Sequence, residues 1–141
     1  MKILNQQKVI RLALPPLEAF SAKVLHELKL KADCVAIAFV TDAEIARLNR
    51  TYRNKNKHTD VLSFPAQFEK RVNTKQFLGD IAIAPAVARR YAKKNGRTLE
   101  NEICILILHG ILHLLGYDHE TDRGLMDRVE RQLRRKLGVE S

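Results

Sequence analysis

The sequence predicts a mixed α/β fold, a small mixed sheet of about four strands covered by helices. Three observations predict it. Short β-type apolar runs alternate with stretches of helical periodicity, from residue 34 to the histidine-bearing helix, in the order strand, helix, strand, strand, helix, helix. One helix is apolar nearly all round, which places it inside the fold. The 141 residues, 45% of them apolar, suffice for one ordinary core, so a single domain over 1–141 is expected.

The elements follow from local chemistry. "LPPLEAFSAKVLHELKL" carries Leu17, Phe20, Val24, Leu25 and Leu28 at helical spacing, with its prolines at the start, where a helix tolerates them. "CVAIAFV", residues 34–40, reads as a buried strand. Thr41 and Glu44 have the spacing of a capping box, and the helix they open runs to about Tyr52 with Ile45, Leu48 and Tyr52 facing inward. "DVLSF" (60–64) and "GDIAIA" (79–84) read as two more strands joined by a polar loop. Pro85 opens a helix that Asn95 and Gly96 end. Thr98 caps the next, with Glu100 near its positive end, and Ile103 to Leu108 form its apolar centre. The last helix, about 122–137, places Leu125, Met126, Val129, Leu133 and Leu137 on one side. Arg128, Arg131, Arg134 and Arg135 fall mostly on the other.

Composition narrows the function. The apolar run Ile103 to Leu108 is too short to span a bilayer. The opening "MKILNQQKVIRLALPPLEAF" is broken by polar residues and prolines, so it does not read as a signal peptide, and a cytoplasmic protein without membrane association is expected. Cys34 and Cys104 read as reduced, buried small hydrophobes. The 25 Lys+Arg against 16 Asp+Glu give a net charge of +9, which favours a polyanionic partner such as nucleic acid.

"HGILHLLGYDH", residues 109–119, closes the apolar helix. His109 and His113 are one turn apart on one helix face, so both imidazoles can reach one ion. Gly116 can take the positive φ that ends the helix, and His119 can then complete a tripod. The spacing matches the zinc motif of metzincin proteases at every ligand. Three nitrogen ligands leave a fourth tetrahedral position for a metal-bound water, the arrangement of a catalytic zinc site with one Zn2+ ion. Metzincins, however, carry glutamate after the first histidine as general base, and here that position is Gly110. A hydrolysis other than that of peptides is therefore expected.

A second constellation lies in "LNRTYRNKNKHTDVLSFP", residues 48–65, where Arg50, Arg53, Lys55 and Lys57 gather at a helix exit and the loop beyond. Arginine forks match phosphate oxygens in pairs, and a basic loop beside an activated water is what phosphodiester cleavage requires.

Together with "LGDIAIAP", these two stretches closely resemble the YbeY family of bacterial metal-dependent endoribonucleases, in motif order and spacing over nearly the whole chain. The resemblance implies a mixed α/β fold and zinc bound by His109, His113 and His119. It also implies single-stranded RNA, rather than DNA, as substrate. The implied roles are 3′-end processing of small-subunit ribosomal RNA and ribosome quality control, with the ribosome's small subunit as partner. Arg53 is the arginine carried over as the catalytic phosphate-holding residue. Asp118, beside the third ligand, could orient a ligating imidazole or shape the turn. Two positions depart from the family pattern, which has aspartate where Asn56 stands and proline where His58 stands. Proline would fix φ in this loop and histidine does not. His58 reads as a surface substitution, with a fourth ligand or an extra phosphate donor as alternatives. Two other readings compete: an RNA-binding ribosome-assembly factor whose metal only staples the fold, and a zinc hydrolase of another substrate.

Overall fold

In the computed structural model, the residues described are 2–53, 59–66, 77–117 and 123–139. The elements run β1 (Lys2–Asn5), α1 (Leu14–Glu27), β2 (Val35–Phe39), α2 (Asp42–Arg53), β3 (Val61–Pro65), β4 (Gly79–Ile83), α3 (Pro85–Lys94), α4 (Leu99–Leu114) and α5 (Leu125–Leu137). The four strands form one mixed sheet in the order β1-β2-β4-β3. β1 and β2 are parallel, β2 and β4 are parallel, and β3 pairs antiparallel with β4, with Leu62 opposite Ala82. The predicted α/β class, with a four-stranded sheet, is the observed one.

The sheet's two faces bury different amounts. Val35, Ile37 and Phe39 of β2, with Ile81 and Ile83 of β4, point into the larger core, which α1, α4 and Met126 of α5 complete. The opposite face carries a smaller cluster of Val40, Ile45, Leu62, Ala82, Ala84 and Val87 under α2 and the start of α3. Alternation along the strands makes this division, since successive side chains point to opposite faces.

Local chemistry sets the helix ends. Pro15 and Pro16 open α1 and Pro85 opens α3, where the missing N–H leaves no bond unmade. Thr41 Oγ1 accepts from the Glu44 amide at 3.1 Å, and the Glu44 carboxylate pairs with Arg47. Thr98 Oγ1 accepts from the Asn101 amide at 3.1 Å.

Four expectations need correction. β1 adds a strand that the apolar pattern does not predict: it is a short edge strand whose residues are mostly exposed, so it carries no buried alternation. Tyr52 is 64% exposed rather than inward, although its ring meets Phe64 edge-on at 5.4 Å, and the buried place on that helix goes to Asn49. Leu125 is exposed because it is the first residue of α5, before the helix settles on the core. Arg134 does not stand with the other arginines on the side of α5 away from the core: its side chain is only 14% exposed and turns inward to Glu130. Among the described residues no helix is long and apolar enough to cross a membrane.

Candidate metal centre

α4 is the element that positions the site. Its first turn is capped by Thr98 and carries Glu100 and Glu102 near the positive end of the helix dipole. Its middle is buried on nearly every side. At its C-terminal end Gly116, at φ +100°, reverses the chain. The Gly116 amide donates to the His113 carbonyl at 3.0 Å and the Tyr117 amide to the Leu112 carbonyl at 3.1 Å. That bond pair is a Schellman motif, and it ends the helix where the glycine suggested.

His109 and His113 stand one turn apart at this end, both half-buried. Their Nε2 atoms are 3.1 Å from each other and their rings meet at 71° with centroids 4.6 Å apart. Two nitrogens bound to one tetrahedral zinc at about 2.0–2.1 Å would be about 3.3–3.4 Å apart. The observed separation is within a few tenths of an ångström of that edge, so the pair fits a shared ion with little movement. The Nδ1 atom of His109 lies 2.9 Å from Oε1 of Glu130, a residue of α5 that is 4% exposed. The other carboxylate oxygen, Oε2, accepts from Nη2 of Arg134 at 2.7 Å.

Among the described residues no group of three metal-competent side chains forms. His119, the expected third ligand, lies outside the described residues, as do Asp118, Lys55, Lys57, Asn56 and His58. Arg50 lies exposed on α2, and Arg53 is the last residue of that helix, its side chain outside what is described.

Two contacts relate the exit of α2 to the histidine turn. Tyr52 packs on Phe64, and the neighbouring Ser63 donates through its hydroxyl to the Gly110 carbonyl at 3.1 Å. Ser63 and Phe64 are successive residues of an edge strand and so face opposite ways. The basic helix exit and the histidine turn therefore flank the same length of β3 from its two sides.

The structure also explains the missing glutamate. A Cβ on Gly110 would lie 2.9 Å from Cδ1 and 3.0 Å from Cγ2 of Ile81, a buried residue of β4. Position 110 faces the sheet and not the site, so a glutamate there would be driven into the core.

Sequence reasoning missed Glu130, Arg134 and Asp60. Glu130 had a signal: it stands four residues after Met126, on the stripe that buries the helix, and a carboxylate on such a stripe requires a partner. Asp60, just before β3, has its carboxyl held above the usual range by burial and further by Glu102, against the lowering effect of a backbone N–H bond and, less strongly, of His109. Glu102 is itself buried and paired with Arg97 at 3.3 Å.

Fold and site together define a small mixed α/β protein with a histidine pair, at metal-ligand separation, on its central helix. The sequence profile described as Endoribonuclease YbeY matches residues 2–138, and the chain belongs to that family. A Solibacter usitatus protein named endoribonuclease YbeY is 45% identical over 125 residues, which is 89% of this chain and 80% of that one. One of the same name from Koribacter versatilis is 46% identical over 107 residues, 76% of this chain and 66% of the other. The solution structure of a Thermotoga maritima protein superposes with a TM-score of 0.63 at 28% identity, covering 96% of this chain and 87% of that one.

Proposed function

We propose that this protein is a zinc-dependent, single-strand-specific endoribonuclease of the cytoplasm. Its substrate is ribosomal RNA, in the 3′-end maturation of the small subunit and in ribosome quality control. The observation that carries this reading is the 3.1 Å convergence of the His109 and His113 Nε2 atoms, in a chain whose relatives bear the name endoribonuclease.

His109, His113 and His119 would hold the ion. When bound, zinc supplies Lewis acidity that makes a nucleophile or base available near neutral pH. The chain's own groups do the rest. Arg53 would grip the scissile phosphate and offset the charge that builds on its oxygens. Arg50, Lys55 and Lys57 would track the neighbouring phosphates, and a net charge of +9 draws the strand in. Asp118 would steady the third ligand.

The test uses protein freed of contaminating nuclease, incubated with single-stranded RNA beside its His113→Ala and Arg53→Ala variants. Cleavage should vanish with His113→Ala. It should fall on the order of 10²-fold with Arg53→Ala, the usual cost of removing one transition-state donor. RNA binding without cleavage in the unmodified protein would instead favour an assembly factor in which the metal only staples the fold.

A further inference from the structure

We propose that Glu130, held in turn by Arg134, is a positioning residue that fixes the tautomer and ring plane of His109 for metal binding. The inference rests on the metal-centre reading above and adds to it a residue from a different helix.

The geometry is specific. Glu130 lies on the buried stripe of α5, between Met126, which is fully enclosed, and Leu133, which packs on the core. A carboxylate withdrawn from water in this way is costly unless its oxygens are engaged. Here the two oxygens are divided between two partners, Oε1 at 2.9 Å from His109 Nδ1 and Oε2 at 2.7 Å from Arg134 Nη2. A neutral imidazole has one N–H. A carboxylate can only accept, so the proton must sit on Nδ1, and Nε2 then presents its lone pair. That lone pair is on the nitrogen 3.1 Å from His113 Nε2, where a shared ion would be held. Arg134 contributes by engaging the second carboxylate oxygen, Oε2, so that Oε1 remains directed at the ring.

A purely structural alternative is that this chain of contacts only staples α5 to α4. The two roles separate on what they perturb. A staple changes the stability of the metal-free protein and leaves the metal affinity of the folded protein alone. A positioning residue changes the tautomer of one ring and the affinity for the ion.

The experiment measures zinc affinity by competition with a chromophoric chelator, at a temperature where circular dichroism shows every variant folded. It is paired with ring-nitrogen NMR of His109 in the metal-free proteins. Glu130→Ala should weaken zinc binding by about 10- to 100-fold, the usual cost of removing an outer partner of a ligating histidine. Its His109 ring should lose the single Nδ1–H form. Glu130→Gln is nearly isosteric and retains an oxygen acceptor, so it should lose less affinity than the alanine variant. It also decides the matter should Glu130→Ala fail to fold. Unchanged zinc affinity and an unchanged His109 tautomer in the folded variants would overturn the proposal. His113→Ala is the control that keeps the two readings apart. If it binds zinc like the unmodified protein, the metal centre itself is wrong. If it loses zinc while the Glu130 variants keep it, only the positioning role falls.

Discussion

Replacing Gly110 by alanine should destabilise the protein, although the residue sits in the middle of a helix. Helix propensity alone favours alanine there by about 1 kcal/mol. Against it stands the packing of α4 on the sheet, where an added Cβ would meet Ile81 Cδ1 at 2.9 Å and Cγ2 at 3.0 Å. Both carbons belong to a β-branched side chain, which is stiff at χ1. Neither carbon turns aside freely, because Ile81 is 1% exposed on β4, which is flanked by β2 and β3. Overpacking of this kind costs about 1–3 kcal/mol, so the net effect should be a loss of about 1 kcal/mol. A chain of 141 residues unfolds with an entropy of about 0.3 kcal/mol/K, which turns that loss into a drop of about 3 °C in Tm. Urea unfolding of the metal-free protein is the assay, run as a double-mutant cycle with Ile81→Val. That second substitution removes Cδ1 and alone should cost about 0.5–1.5 kcal/mol. In the Gly110→Ala background it should cost less, because it removes the nearest of the contacts, the 2.9 Å approach to Cδ1. A stabilised Gly110→Ala, additive with Ile81→Val, would refute the reasoning.

Asp60 gives a pH-dependent prediction. Burial first, and Glu102 next, raise its folded pKa, so the folded protein holds this proton more tightly than the unfolded chain. Its stabilising contribution is complete below the unfolded value of about 3.9 and is lost as pH rises through the folded value. Asp60→Asn should therefore gain stability relative to the unmodified protein across that window, as read by urea unfolding at a series of pH values. The two unbridged cysteines should resist a disulfide reagent at pH 8 until the chain unfolds, since burial, with Glu100 adding, pushes Cys104 up to about 12 and burial raises Cys34. Neutralising Arg50, Arg53, Lys55 and Lys57 should flatten the salt dependence of RNA affinity, by about 0.7 in log–log slope for each phosphate no longer neutralised. Neutralising Arg128, Arg131 and Arg135 of α5 should leave the slope nearly unchanged, and a fall confined to that variant would move the RNA path to the other end of the chain.

What can be read from the sequence is what short-range chemistry determines. The prolines of α1 and α3, the Thr98 cap and the Gly116 reversal act within a turn of themselves, and each lies where its residue type requires. β1 leaves no such mark, because its pairing partner, β2, is some thirty residues on and its side chains other than Ile3 stay largely in solvent, so main-chain bonds chiefly define it. Tyr52 keeps helical spacing but lies beyond the covered part of its helix. The histidine pair is legible from its spacing. Its partner Glu130 is not, since the link between α4 and α5 depends on how two helices dock, which periodicity within either one does not encode. Gly110 shows the same limit: the sequence shows a missing base, whereas the reason is an isoleucine on a strand about thirty residues earlier.

The burial of α4 has a further consequence. This helix packs against α1, α3, α5, β3 and β4, so most of the other elements must come apart before it can. Its amides should be among the slowest in the molecule to exchange with solvent, opening only when the whole chain opens. A histidine pair mounted on such an element is preorganised before any ion arrives, and binding need not be spent on ordering the backbone. Small zinc modules that fold only around their metal are built the other way, with the ion acting as the core. Here the core around the helix is apolar, so on the proposed reading removal of a bound zinc should abolish cleavage while leaving the architecture standing, ready to be reloaded.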